Sequence, residues 1–473
     1  MSDSNHSPRS PETTTASSRR DFLKTTTTVA ATATAITAAT PSLSLARSAN
    51  VAGINTVKIG LVGCGGRGTG AAVQAMNTQS GNVQLAAMAD VFVDRANLAR
   101  KQFEIEHPDK ILAKDSDVHI GLDGYKKVIE SDVDLVILAT PPGFRPLHFA
   151  AAIEAGKHVF MEKPVGVDAP GIRKVLEYGK IASEKNLLVQ VGLQRRHERA
   201  YRETIAQLKM GMIGDLLYSR VYWNSRGVWE RPRKEGQSEL DYQMRNWYYF
   251  NWLCGDHIVE QHIHNLDVIN WLMDDHPVTA AGMGGRLVRD GIDNGEIYDH
   301  HMVEYTYANG HKMFSQCRHM PDCFNAVSEH VVGTKGYADI AAGRIFSPDG
   351  NEIFKSTEGP GQRGGHQQEH HDLFADLAQG ILPNEAEYGA KSTFTAILGR
   401  LATYTGNLLE WDDALNSNVS LAEDLTGMLD LNGEAPVKPD ENGRYKINKP
   451  GDNEGVIDWK PRKSVKKKKK KAE

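Results

Sequence analysis

Val57-Lys58-Ile59-Gly60-Leu61-Val62-Gly63-Cys64-Gly65-Gly66-Arg67-Gly68 runs an apolar, β-branched strand into a G-x-G-x-x-G turn, and Ala71, Ala72 and Val73 open a helical pattern behind it. Glycines let the backbone turn tightly and approach a pyrophosphate, while the helix N-terminus supplies free N–H groups. A second strand, Val83 to Ala89, delivers Asp90, 22 residues beyond Gly68. A carboxylate there hydrogen-bonds the ribose hydroxyls of NAD and repels the extra phosphate of NADP. The order strand, turn, helix, strand and acid predicts a dinucleotide-binding domain that takes NAD, with NADP disfavoured. Gly63, Gly65, Gly66, Arg67, Gly68 and Asp90 are its expected cofactor contacts.

From there to about Leu193 strands and helices alternate, the pattern of a parallel sheet. Val133 to Ala139 is nearly all apolar, as a strand buried on both faces requires. It ends in Thr140-Pro141-Pro142 at the carboxyl edge of the sheet, which adds Thr140 and Pro141 to the cofactor contacts. A helix through Phe149 and Ile153, a strand from His158 to Met161 and a last strand from Leu187 to Val191 complete the domain, set at residues 54–193.

Upstream, Ser18-Arg19-Arg20-Asp21-Phe22-Leu23-Lys24 and the Thr/Ala-rich run from Thr25 to Thr40 form a twin-arginine export pattern, so residues 1–50 are read as a signal region. The run is too short and too rich in threonine to span a bilayer. The mature protein is expected in the periplasm, delivered by the twin-arginine machinery without membrane insertion. A chain of 473 residues, 40% hydrophobic, can bury a large core in two domains, and a net charge of −5 argues against a nucleic-acid partner. The four cysteines show no metal-type spacing, and Lys466 to Lys471 read as a solvated basic end.

Downstream, Leu216 to Trp223, His300 to Tyr307, His311 to Gln316 and Ser328 to Val332 alternate or are rich in β-branched and aromatic residues, which predicts an antiparallel sheet in a second domain, residues 194–412. Gln367 to Leu409 has helical periodicity, broken near Gly380 and Pro383. Residues 413–473 read as a polar, loosely ordered tail. The expected fold is α/β: a parallel Rossmann domain followed by an α/β domain with a large, mostly antiparallel open sheet.

Three features together resemble the glucose–fructose oxidoreductase, inositol dehydrogenase and rhizopine-catabolism (Gfo/Idh/MocA) family. They are the glycine fingerprint, Glu162-Lys163-Pro164 at a strand end, and a histidine-bearing helix beyond residue 250. The run Leu398-Gly399-Arg400 to Tyr404-Thr405-Gly406, followed by Trp411-Asp412, is similar to the family's C-terminal pattern. The resemblance, over residues 55 to 412, implies an NAD-dependent oxidoreductase of sugars, cyclitols or their derivatives. It also implies a homo-oligomer, dimer or tetramer, assembled through the open sheet.

Lysine at the carboxyl end of a Rossmann strand faces the crevice where such sheets bind ligands. Its ammonium can stabilise the alkoxide-like charge that develops as hydride leaves carbon. The resemblance gives this role to Lys163 and makes Glu162 its holder or a cofactor contact; Lys163-Pro164 is a candidate cis bond. Read as one helix, Asp256 to Met273 buries Val259, Ile263, Leu266, Ile269 and Met273 and lines its other side with His257, Glu260, His264 and Asp267. The family motif places an Asp four residues before a His; here Glu260 and His264 hold those positions. His264 is thereby the expected general base and Glu260 its orienting partner. A zinc site on His257, Glu260 and His264 is the disfavoured alternative.

Arg196, Trp223, His257 and Tyr248 are the expected substrate contacts. Arg196 lies in Gln194-Arg195-Arg196-His197, and Trp223 and Tyr248 belong to an aromatic and basic region with Asn224, Arg226, Trp229, Arg245 and Trp247. Tyr298, Asp299, His300 and His301 are weaker candidates. Free NAD is scarce outside the cytoplasm, so export predicts a cofactor reduced and reoxidised within one site. A ping-pong sugar oxidoreductase satisfies this. So does a redox-neutral glycoside-cleaving cycle of oxidation, elimination and reduction. A non-catalytic sugar-binding paralogue would need neither Lys163 nor His264.

Overall fold

The apolar strand and glycine turn become β1 (Thr56–Val62) and α1 (Gly66–Met76), the first unit of a doubly wound domain. The computed structural model describes residues 56–357, 364–421, 425–428 and 430–459; the twin-arginine segment and the lysine run lie outside them. The chain continues through β2 (Asn82–Asp90), α2 (Val93–Glu106), β3 (Val118–Ile120), α3 (Gly124–Glu130), β4 (Leu135–Leu138), α4 (Arg145–Glu154), β5 (His158–Met161), α5 (Ala169–Glu184) and β6 (Val189–Val191). The six strands pair in parallel in the order β3-β2-β1-β4-β5-β6. The sequence order reverses at β1 and β4, and their carboxyl ends frame the crevice in which such sheets bind ligands. β4 and β5 are buried along their whole length, as strands covered on both faces must be.

The second domain runs α6 (Arg199–Lys209), β7 (Leu216–Ser225), α7 (Glu239–Arg245), the short α8 (Asn251–Cys254) and α9 (His257–Glu260), α10 (Ile263–Met273), β8 (Pro277–Gly285), β9 (His300–Tyr307), β10 (Lys312–His319), β11 (Ala326–Gly333), β12 (Gly336–Asp339), β13 (Arg344–Phe346), β14 (Glu352–Lys355), α11 (Gly365–Ala378), α12 (Ala386–Thr405), β15 (Leu409–Glu410) and α13 (Trp411–Leu415). Nine strands form one sheet in the order β14-β13-β12-β11-β7-β10-β9-β8-β15. It is antiparallel except where β7 lies parallel to β10. Burial alternates along β9 and β10, so one face is covered and the other open. α10 and α12 pack on the covered face, and α12 also packs on α5. A Cβ on Gly179 of α5 would stand 2.8 Å from that of Ala386, so the two domains meet at van der Waals contact there. α11 returns to the first domain and seats Leu373, Phe374 and Leu377 in the core that contains Ile59 and Leu61.

Two expectations change. The helix expected from Asp256 onward is two helices separated by Gln261-His262, and nearly every side chain in it is buried, so it has no polar outer face. The tail is not loose in its described part: it buries Ala435, Tyr445, Val456 and Ile457 against the body of the protein.

Candidate active site

β1 ends in a loop whose glycines do different work. A Cβ on Gly68 would fall 1.9 Å from the Gly63 carbonyl, and one on Gly63, at φ +98, would meet the Ala139–Thr140 backbone at 2.7 Å. A Cβ on Gly65 or Gly66 would meet nothing within 4 Å. The first and last glycines are demanded by packing, and the middle pair leaves an open cradle. Thr69 N–H makes the first helical bond, to Gly65 O, so the N–H groups of Gly66 and Arg67 precede the helix ladder. That cradle fits a pyrophosphate, and it opens into a cavity of about 330 Å³.

At its far wall Asp90 accepts hydrogen bonds from Cys64 N–H (2.7 Å) and Phe92 N–H (2.8 Å). Each oxygen keeps a second lone pair for a ribose hydroxyl. Burial raises the Asp90 carboxyl, while the two backbone donors oppose the shift. Thr140 and Pro141 line the same cavity.

The end of β5 brings charged groups to the cleft. The Lys163–Pro164 peptide is cis. Lys163 Nζ donates to Glu260 O (2.7 Å) and to Glu260 Oε1 (3.1 Å), which ties the Rossmann edge to α9. Glu162 turns the other way, and its carboxylate lies 2.7 Å from Arg67 Nε of the glycine loop. Burial raises the Glu260 carboxyl, against the pull of the Lys163 ammonium. His264, at the start of α10, stacks against Trp223 of β7 with centroids 6.0 Å apart. Its Nδ1 is buried with no hydrogen-bond partner among the described residues. Burial and the charges of Lys163 and Arg195 hold the imidazole well below the ordinary histidine range, so it is neutral and able to accept a proton. Tyr248 is buried with its hydroxyl likewise unpartnered among the described residues, and burial, then Glu260, raises its phenol.

Other expected contacts are committed elsewhere. Arg196 binds Asp267 through three hydrogen bonds of 2.8 to 3.2 Å and stacks over Tyr388 at 3.9 Å, so it is a structural cation and not a substrate contact. Asp267 is its counter-ion. His257 is fully buried against Asp256 (2.8 Å), with the rings of His301 and His319 at 4.8 and 4.5 Å, and so cannot touch substrate. His257, Glu260 and His264 do not converge. Among the described residues only Asp256, His257 and His301 bring ligand atoms within 4.8 Å. The Asp256 carboxylate there already accepts from His257 N–H, Tyr298 N–H and the Tyr404 hydroxyl. Asp299 spends an oxygen on the N–H groups of Leu287, Val288 and Arg289 and pairs with His300, which brings it down to about 2. Trp229, Arg245 and Trp247 line the nucleotide cavity.

Three residues escaped the sequence reading. Arg145 donates to Thr140 O (2.7 Å) and Glu162 O (3.0 Å), stapling the ends of β4 and β5 together, and burial lowers it to about 10. His148 lies 3.1 Å from Thr140 Oγ1, and burial and Arg145 drive it down to about 3. They follow the Thr-Pro-Pro turn by three and six residues, about one and two helical turns, a signal available in the sequence. His366 comes from α11, where a Cβ on Gly365 would press into Gln194 O and Glu198. Burial, Arg67 and Lys163 bring it down to about 4, and it faces His264 as well. Nothing local announces it.

A pyrophosphate cradle joined to a lysine, carboxylate and histidine at the switch point defines the class: a Rossmann-type oxidoreductase with a second α/β domain. Two family models match, one described as the oxidoreductase family, NAD-binding Rossmann fold, over residues 57–193, the other as its C-terminal alpha/beta domain over residues 205–378. The chain belongs to the Gfo/Idh/MocA oxidoreductase family. Inositol 2-dehydrogenase of Pseudomonas syringae pv. syringae (strain B728a) is 27% identical over 224 residues, covering 47% of this chain and 56% of the relative. Inositol 2-dehydrogenase of Burkholderia cenocepacia (strain HI2424) is 26% identical over 292 residues, 60% of this chain and 74% of the relative. The chain spans about half the length of the first curated relatives it matches. Among solved structures, scyllo-inositol dehydrogenase from Lactobacillus casei with bound cofactor NAD(H) and scyllo-inositol shares the fold at a TM-score of 0.58 and 21% identity, covering 76% of this chain and 99% of that one. Levoglucosan dehydrogenase in complex with NADH and levoglucosan does so at 0.59 and 16%, covering 75% and 99%.

Proposed function

We propose that this protein transfers hydride between a hydroxyl-bearing carbon of a cyclitol, sugar or sugar derivative and NAD. The observation that carries the reading is the Lys163 ammonium held 3.1 Å from the Glu260 carboxylate, on the same cleft edge as a neutral His264 whose Nδ1 has no hydrogen-bond partner among the described residues. NAD bound in the cradle would supply the hydride acceptor. Lys163 stabilises negative charge on the substrate oxygen, His264 takes the hydroxyl proton, and Glu260 fixes the lysine. Trp223 offers an aromatic face beside His264. The names of the matched relatives, inositol 2-dehydrogenases, support a polyol substrate.

The test is a panel of cyclitols, sugars and anhydrosugars given to purified protein whose bound nucleotide has been identified by mass spectrometry. Reduction of the nicotinamide in step with substrate oxidation supports the reading. Glycoside cleavage with no net reduction would assign the same residues to a redox-neutral cycle. Nucleotide binding without turnover of any substrate would leave a binding protein and overturn the enzyme.

Export is part of the reading: replacing Arg19-Arg20 by two lysines should abolish translocation. So is assembly as a dimer or tetramer through the open face of the nine-stranded sheet, where Tyr218, Met283 and Met302 are exposed. A monomer by light scattering would overturn that.

A further inference from the structure

The stretch between β7 and α8 leaves the second sheet and reaches the nucleotide cavity. There Trp229, Arg231, Arg245 and Trp247 share the lining with Asp90 and the glycine loop. Two contacts fasten it to the first domain just past Asp90. The Arg245 guanidinium bonds both oxygens of Asp94, at 3.1 and 3.2 Å, and lies 3.8 Å over the ring of Phe92.

The C-terminal stretch grips the same segment from elsewhere in the fold. Ser238 Oγ donates to Leu431 O (2.6 Å), Gln243 Nε2 to Val437 O (2.6 Å) and the Tyr445 hydroxyl to Glu239 (2.5 Å). Tyr445 itself is buried edge-on against Phe250. Between these fastenings Trp229, Arg231 and Trp247 line the cavity, with the Trp229 ring edge-on to those of Trp247 (5.8 Å) and Tyr248 (6.1 Å). Arg231 lies over Trp229 at 5.0 Å, and neither Arg231 nor its neighbour Arg95 forms a close ion pair among the described residues, although both feel the charge of Asp94. Indole and guanidinium groups lining that cavity suit stacking on a purine, and the position beside Asp90 is where the adenosine ribose binds in this class of fold.

We propose that residues 229–247 are a clamp on the adenosine half of the cofactor, latched by Arg245 on Asp94 and braced by the C-terminal stretch, and that it keeps the dinucleotide bound through successive turnovers. The inference rests on reading the cavity as the NAD site. A cofactor that stays must be reset where it sits. Each hydride and proton removed from one alcohol, leaving a carbonyl, is then returned to a carbonyl bound later in the same cleft.

The test uses the full chain and NADH as probe. Tryptophan excitation is transferred to bound NADH, and release is timed after a chase with excess NAD. Arg245→Ala should speed release about fivefold, losing two partly exposed ion pairs, to Asp94 and to Asp241, and one ring contact. Trp229→Ala should speed it about tenfold, losing one stacking face. Asp94→Asn opens the latch from the other side with little risk to the fold and should speed release less than Arg245→Ala, because Arg245 keeps Asp241 and its place over Phe92. Release rates equal to those of the unsubstituted protein in all three variants would overturn the clamp while leaving the cofactor site intact. Failure of the unsubstituted protein to bind any dinucleotide would overturn the reading of the cavity, and the clamp with it.

Discussion

The two halves of the cleft are built on opposite plans. On the nucleotide side a single loop does the work, and its geometry is set by backbone: Gly63 and Gly68 are fixed by contacts of 2.7 and 1.9 Å that no side chain could survive, and Asp90 is held by two N–H groups. On the proposed substrate side, Lys163, Trp223, the pair Glu260 and His264, and His366 arrive from four separate places in the chain and are positioned mainly by side-chain contacts. A site written in backbone spacing tolerates changes around it. A site assembled from side chains depends on each partner being present.

The sharpest way to break that contrast is Lys163→Ala. With its ammonium gone, nothing opposes charge on the substrate oxygen, and turnover should fall about a thousandfold, roughly 4 kcal/mol of barrier. Retained nucleotide, counted by mass spectrometry, should not change, because the glycine loop and Asp90 are untouched. Loss of the nucleotide with the activity would mean that the halves are not separable. The pH profile sharpens the same point. His264 must be neutral to act, and its proton affinity lies well below that of an ordinary imidazole, so the acid limb of kcat/KM should fall below about pH 6.5, the usual histidine value. A limb at or above that value would remove His264 from the role.

Next in size is Asp267→Ala. Read from the sequence, Asp267 belongs to the titratable face of the site; in the structure it neutralises the nearly buried Arg196 and also accepts from Ser392 Oγ at 2.7 Å. Stranding that guanidinium should cost about 3–5 kcal/mol of stability. Denaturant unfolding measures the loss, and the substrate KM of the surviving folded fraction should stay unchanged. A raised KM at unchanged stability would return Arg196 and Asp267 to the substrate.

This pair also shows where the sequence stops being legible. The glycine loop, Asp90 and the break near Gly380 could be read because each follows from local spacing along the chain, whereas Lys163 was singled out by the family resemblance. The order of a parallel domain followed by an open sheet was legible from where alternation replaces continuous apolar runs. The 256–273 segment was not, because its polar residues also face inward. His262 bonds Ser315, Asn265 bonds Glu329 and Asn270 bonds Thr395, so a helix buried on every side offers no outer face for periodicity to find. His366 stands a hundred residues or more from its neighbours in the cleft, which spacing cannot reveal.

A smaller effect is expected on the nucleotide side. Asp90→Ala removes the charge that disfavours a 2′-phosphate, while Arg95 and Arg231 remain at the cavity wall with no close ion pair among the described residues. The preference for NAD over NADP should narrow by about tenfold, roughly 1.4 kcal/mol, read as the ratio of the two dissociation constants. An unchanged ratio would show that packing and not charge selects the cofactor.

The smallest effect belongs to the C-terminal stretch, which the composition marked as loose and the structure shows docked. Glu296 lines a second cavity of about 120 Å³ with Arg400, Leu421 and Val456. It accepts the Asn251 N–H at 2.8 Å, yet burial pushes its carboxyl up to about 7, with Arg400 opposing. A carboxyl raised on folding contributes fully below its unfolded value near 4.3, and that contribution is lost as pH rises through about 7. The Tm should therefore decline between about pH 5 and about pH 8, and Glu296→Gln, which carries no charge to bury, should flatten the decline. If the variant keeps the full slope, the carboxyl is not ionising beneath the docked stretch, and the brace it underlies owes its pH dependence to another group.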